Sequence, residues 1–182
     1  MGENFARRGS LMKIKEGRAL IISIILHALL LMTVYVFQGM VFPYLRLYGL
    51  VPILLPVAAT GVAVYEGRVA GGITGLFAGI LCDVSFIEPT AVFTVLLTVT
   101  GLIVGTLSDT VMARGFAAFF ISSAVVLAVV AFAQMFPLLF FEGAPPSPLM
   151  ITALGQTVYS LPFTLPLSLF VKALGKRRSA FT

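Results

Sequence analysis

The chain has 182 residues, of which 59% are hydrophobic and 10% charged, and it carries a formal net charge of +5. So much apolar side chain cannot be hidden inside a water-soluble domain of this length, and the placement of the 12 Lys and Arg points to membrane topology rather than to nucleic acid. Cys82 is the only cysteine, which excludes an intrachain disulfide and a cysteine-based metal cluster.

Residues 1–18 form a basic lead with Arg7, Arg8, Lys13, Lys15 and Arg18, read as a topology signal, the alternative being that its last part, Lys13 to Arg18, lies along anionic membrane lipid. Six stretches without charge follow: between Arg18 and Arg46, then Leu47 to Tyr65, Val69 to Cys82, Pro89 to Ser108, Gly115 to Phe141, and Gly143 to Val171. A helix needs about 20 mainly apolar residues to cross a bilayer. All but the third stretch suffice outright, and the third does once Asp83 is accommodated near its end. The first is too long for a signal peptide and lacks a small-residue cleavage site after it. Short links make successive helices antiparallel neighbours. The expected fold is therefore an all-α integral membrane protein: one bundle of six transmembrane helices over residues 19–171, ending in a basic tail, 172–182.

If the helices alternate, Arg68, Arg114, Lys172, Lys176, Arg177 and Arg178 share a side with the basic lead, and Arg46 alone lies opposite. The positive-inside rule then puts both termini in the cytoplasm. Asp83, Glu88 and Glu142 fall at or near the exterior ends. The Pro145, Pro146, Ser147, Pro148 cluster, within the exterior segment from Phe140 to Leu149, predicts a stiff extended turn. Helix two carries Pro52 and Pro56, and helix six Pro162 and Pro166. Each pair is four apart on one face, where it is expected to bend the helix, with Ser160 and Thr164 as hydroxyl partners for freed carbonyls.

The sharpest local pattern is Gly67, Gly71, Gly75, Gly79 and then Asp83, each four residues after the last. On a helix this row forms a groove bare of side chains, along which another backbone approaches closely, and it ends in a carboxylate. Gly101, Gly105 and Asp109 make a shorter copy that runs the other way across the membrane. Because glycine costs about 1 kcal/mol in helix propensity, these rows mark helix packing or contact with a partner. Asp83 is the most informative single residue, since an acid in a membrane helix needs a partner or a role.

From Gly49 to Thr106 the chain resembles the rod-shape-determining membrane protein family MreD. The resemblance is carried by a Pro-containing apolar helix, the Glu66-Gly67-Arg68 turn, then Gly71, Gly75, Gly79, Leu81 and Asp83, and an apolar helix ending near Gly105. The family has a polar or acidic residue after the proline of its second helix; here Ile53 follows Pro52. The resemblance implies a non-enzymatic scaffold of the bacterial elongation machinery in the cytoplasmic membrane. MreC is the first expected partner, with MreB, RodA and a class-B penicillin-binding protein beyond it. It also implies a fold similar to the S-components of energy-coupling-factor vitamin transporters.

The inventory for catalysis is thin. His27 is the only histidine, with no second ligand to make a metal site and no serine elbow for a triad, and it reads as a hydrogen-bonded packing residue. The glycine row lacks the Gly-Lys-Ser/Thr ending of a phosphate loop. No cofactor is expected. Gln134 and Gln156 read as helix-bridging amides. The alternative function is a vitamin-binding S-component, which matches in size and span count, although the first helix, Ala19 to Phe37, lacks the Ala-x-x-x-Ala face through which that class meets its coupling partner.

Overall fold

Long apolar runs fold as helices in a membrane because the hydrocarbon offers the backbone no hydrogen-bond partner but itself. The computed structural model describes residues 2–41, 44, 50–85, 91–110, 115–140, 143 and 145–180, and of 2–20 and 174–180 only the backbone. In chain order the elements are α1 (Gly2–Met40), α2 (Leu55–Glu66), α3 (Arg68–Ser85), α4 (Val92–Thr110), α5 (Phe116–Phe140), α6 (Pro146–Ser160), a 3₁₀ turn (Leu161–Phe163) and α7 (Thr164–Ala180). Among the described residues five helical stretches are long and apolar enough to cross a membrane: Ile21–Met40, Arg68–Ser85, Val92–Thr110, Phe116–Phe140 and Pro146–Ala173. The chain is an all-α multi-pass membrane protein. Arg46, Glu88, Arg114 and Glu142, on which part of the topology reading rests, lie outside the described residues.

The second apolar run departs from expectation. It gives only the 12-residue α2, preceded by residues 51–54 in non-helical backbone. Pro52 falls in that non-helical lead and Pro56 in the first turn of α2, where a missing N–H costs no intrahelical bond. The pair marks where the helix starts; it does not bend one. At ~1.5 Å per residue α2 covers roughly 18 Å, well short of the ~30 Å hydrocarbon core. Every residue from Leu55 to Val64 is buried, because α2 is surrounded by α1, α3, α4, α5 and α7.

Around this central rod the remaining helices turn one face inward. On α1 the inward face is Ser23, His27, Leu31 and Val34, while Ile21, Ile25, Leu29, Met32 and Val36 stand exposed to lipid. On α5 it is Phe119, Ser123, Val126 and Val130, with the Phe119 ring packed 5.9 Å from that of Tyr65. Pro162 sits in the 3₁₀ turn that interrupts the sixth run, and Pro166 is the third residue of α7. The Ser160 and Thr164 hydroxyls there donate to the carbonyls of Gln156 and Leu161. Pro137 lies inside α5, which continues past it to Phe140. The proline cluster is not an extended turn throughout: Pro145 is the N-cap of α6, and Pro146 to Pro148 form its first turn, the one place where a helix accepts proline freely.

Candidate functional site

The closest pair in the bundle is α3 against α4, and the glycines make it possible. A Cβ on Gly71 would lie 2.7 Å from the Gly101 carbonyl oxygen, and one on Gly105 would lie 2.6 Å from Arg68 Cα. Gly75 and Gly79 press in the same way on the backbone of Leu97 and Thr94. These obstacles are main chain, so no rotamer change relieves them. The two glycine rows of the sequence thus face each other, and the groove is filled from within the chain.

Each end of this pair is closed by an aspartate. Asp83, 5% exposed near the end of α3, accepts from the amides of Phe93 (3.1 Å) and Thr94 (2.8 Å) and from the Thr94 hydroxyl. Those amides belong to the first turn of α4, where no intrahelical acceptor exists, and a negative charge there is favoured by the helix dipole. At the other end Asp109, on α4, accepts from the Arg68 amide (3.0 Å), the first residue of α3. Its neighbour Ser108 donates to the Val64 carbonyl (2.5 Å) near the end of α2. Ser108 and Asp109 therefore close both sides of the α2–α3 turn. Gly67 makes that turn with φ of +90°, and a Cβ there would strike the Asp109 carboxylate at 2.6 Å.

A second polar cluster joins α1 to α2. His27 Nε2 lies 2.9 Å from Glu66 Oε1, with side chains 6% and 7% exposed. The Ser23 hydroxyl, one turn before His27, donates to Glu66 Oε2 at 3.3 Å. A small cavity of about 100 Å³ adjoins the cluster, between Ser23 and His27 on one side and Ala70, Ile73 and Thr74 on the other. His27 is hydrogen-bonded and packed, as its surroundings require; the sequence did not reveal its partner, 39 residues away.

The opposite end of the bundle holds the third polar group. The non-helical residues before α2 leave backbone groups that a membrane would not satisfy, and three side chains meet them. Gln38 Oε1, from α1, accepts from the Leu54 (2.9 Å) and Leu55 (3.3 Å) amides. Ser160 Oγ accepts from the Ile53 amide (3.0 Å), and Gln156 Nε2 donates to the Val51 carbonyl (2.8 Å). Beside them is a cavity of about 210 Å³, lined by Gln38, Pro52, Ile53, Phe93, Gln134 and Gln156 among others. Gln156 bridges to residue 51, whereas the Gln134 amide makes no hydrogen bond within the described residues.

Of the residues singled out from the sequence, the structure brings together Gly67 with Asp109, Gly71 with Gly101, Gly105 with Arg68, and Asp83 with the start of α4. Pro52 and Pro56 do not bend a helix: they fall before and at the start of α2, and Pro52 meets the outer cavity. Ser108 and Gln38 escaped notice, and Glu66 stood out only as part of the Glu66-Gly67-Arg68 turn, not as the partner of His27. Among the described residues no group of three or more His, Cys, Asp or Glu is placed to hold a metal ion. Comparison with protein-family models, with curated proteins and with solved structures finds no match to this chain.

Proposed function

We propose that this chain is a non-enzymatic scaffold of the MreD type, holding MreC in the bacterial cytoplasmic membrane and, through it, MreB, RodA and a class-B penicillin-binding protein. One observation supports this above others. The stretch from Gly49 to Thr106 that resembles the family contains Glu66, Gly67, Arg68, the glycine row, Asp83 and Gly105, and these residues lock α2, α3 and α4 to one another or to α1. The resemblance thus falls on what builds the bundle, and the acids Glu66, Asp83 and Asp109 are engaged between helices. Since Asp83 is occupied inside the chain, the surface offered to MreC is one of the lipid-facing helix sides, recognised by shape.

In this proposal the second of six crossings is made by α2 together with its non-helical lead, residues 51–54, since α2 alone spans ~18 Å of the ~30 Å core. Both termini face the cytoplasm, as the basic residues suggest. Depletion in a rod-shaped bacterium is expected to round the cells, and the tagged chain to recover MreC in mild detergent. Unchanged shape together with no recovery of MreC overturns the reading.

The cavity between Gln38, Gln134 and Gln156 favours a second reading, a small-molecule carrier of the S-component kind. That reading expects normal shape on depletion and growth dependent on one supplied nutrient.

A further inference from the structure

We propose that the cavity at the Gln38–Gln134–Gln156 end of the bundle binds a small uncharged molecule bearing a carboxamide or urea group. The chemistry follows from the hydrogen-bonding capacity left over at its wall. Gln38 spends its carbonyl oxygen on two backbone amides and keeps its NH₂ group; Gln156 spends an N–H on Val51 and keeps its carbonyl oxygen. Ser85 donates its hydroxyl proton to the Leu81 carbonyl and keeps acceptor capacity. Among the described residues Gln134 keeps everything. A half-buried amide without a partner is costly in a membrane helix, where leucine would serve packing better.

These spare groups are mixed donors and acceptors, and among the described residues no charged side chain lines the cavity. A charged ligand would be stripped of water without a counter-ion from these lining residues. A carboxamide or urea edge, with N–H and C=O side by side, pairs with the Gln134 amide at two points, and its remaining surface meets Pro52, Ile53, Leu55, Phe93 and Val130. At about 210 Å³ the space is below the roughly 300 Å³ lower end of drug-sized pockets, so the molecule is small.

The proposal does not need the scaffold reading; it names the ligand class that the carrier reading would require. Its test uses the full chain purified in mild detergent and three probes of nearly one shape: benzamide, benzoate, and N,N-dimethylbenzamide, which cannot donate. Saturation-transfer NMR and thermal shift are expected to show benzamide binding in the millimolar range, with both analogues at least about tenfold weaker. Gln134→Leu, which breaks no hydrogen bond among the described residues, is expected to keep the fold and lose benzamide binding by a similar factor. Equal binding of benzamide and benzoate, unchanged binding by Gln134→Leu, or no benzamide binding at its solubility limit overturns the proposal. Because these measurements are made on the isolated chain, they fail or succeed independently of cell shape.

Discussion

Asp83 and Asp109 cap each other's helices. Asp83 ends α3 and receives the first amides of α4; Asp109 ends α4 and receives the first amide of α3. An aspartate at a helix C-terminus opposes that helix's own dipole, so neither position is favourable taken alone. Both become favourable because the neighbour runs antiparallel and presents its positive end at the same level. Between the two caps the glycines bring the backbones close enough for a short carboxylate to reach across.

The caps differ in burial, and their removal should differ accordingly. Asp83→Ala leaves two main-chain amides and a hydroxyl without their acceptor in a buried setting, at a cost of about 1–3 kcal/mol for each stranded group. Asp109 is exposed, and water can replace it at Arg68. Thermal unfolding in detergent, followed by size-exclusion fluorescence, should place Asp83→Ala well below Asp109→Ala. Equal stability of the two variants would show that the buried cap contributes nothing.

The glycine seam should reject even a methyl group. Gly75→Ala puts its Cβ onto the Leu97 carbonyl and forces α4 outward, an overpacking of about 1–3 kcal/mol. Gly39→Ala meets nothing within 4 Å and should be neutral or slightly stabilising through helix propensity. The check is accumulation in membranes and melting temperature side by side. A Gly75→Ala protein as stable as Gly39→Ala would mean that the seam is looser than described.

The His27–Glu66 contact should appear as a coupling energy. His27→Leu and Glu66→Gln are each expected to destabilise by leaving the other partner buried. The double variant should lose less than the sum, with a coupling of about 1 kcal/mol or more. Strict additivity in the unfolding free energies would remove the contact from the account of how α1 is held.

Orientation is open to labelling. In a Cys82→Ala background, cysteines at Gly2 and Ala180 should react only with membrane-permeant thiol reagents. Ser147→Cys, exposed in the first turn of α6, should react with an impermeant one in intact cells. Impermeant labelling at Gly2 or Ala180 would refute cytoplasmic termini.

How much of this could be read from residues alone depends on what each contact is made of. The seam was legible because glycine spacing on both helices leaves a signature: Gly71 and Gly75 announce a groove, Gly101 and Gly105 its counterpart. The acceptor role of Asp83 was visible only as a need for some partner, since its donors are mainly main-chain amides, which every non-proline residue possesses. Gln38, Gln156 and Ser160 were obscure for the same reason; each serves backbone of the 51–55 segment. The shortness of α2 was hidden because Leu47 to Tyr65 has the composition of a full span, and only Pro52 and Pro56 hinted at where helix gives way. His27 and Glu66 come together through the fold, and neither residue type predicts the other.

The lead into α2 also sets an order of assembly. Its outer backbone groups find partners on α1, made before it, and on Gln156 and Ser160, made about a hundred residues later. Until α6 enters the bilayer, the Ile53 amide and Val51 carbonyl lack the partners that satisfy them in the finished bundle, an exposure costing several kcal/mol per group in lipid. The newly inserted chain therefore has reason to keep its second crossing shallow, near water, and to draw it into the centre only once Gln156 and Ser160 have been made. A protein cut off before Gln156 would lack the means to bury its own middle.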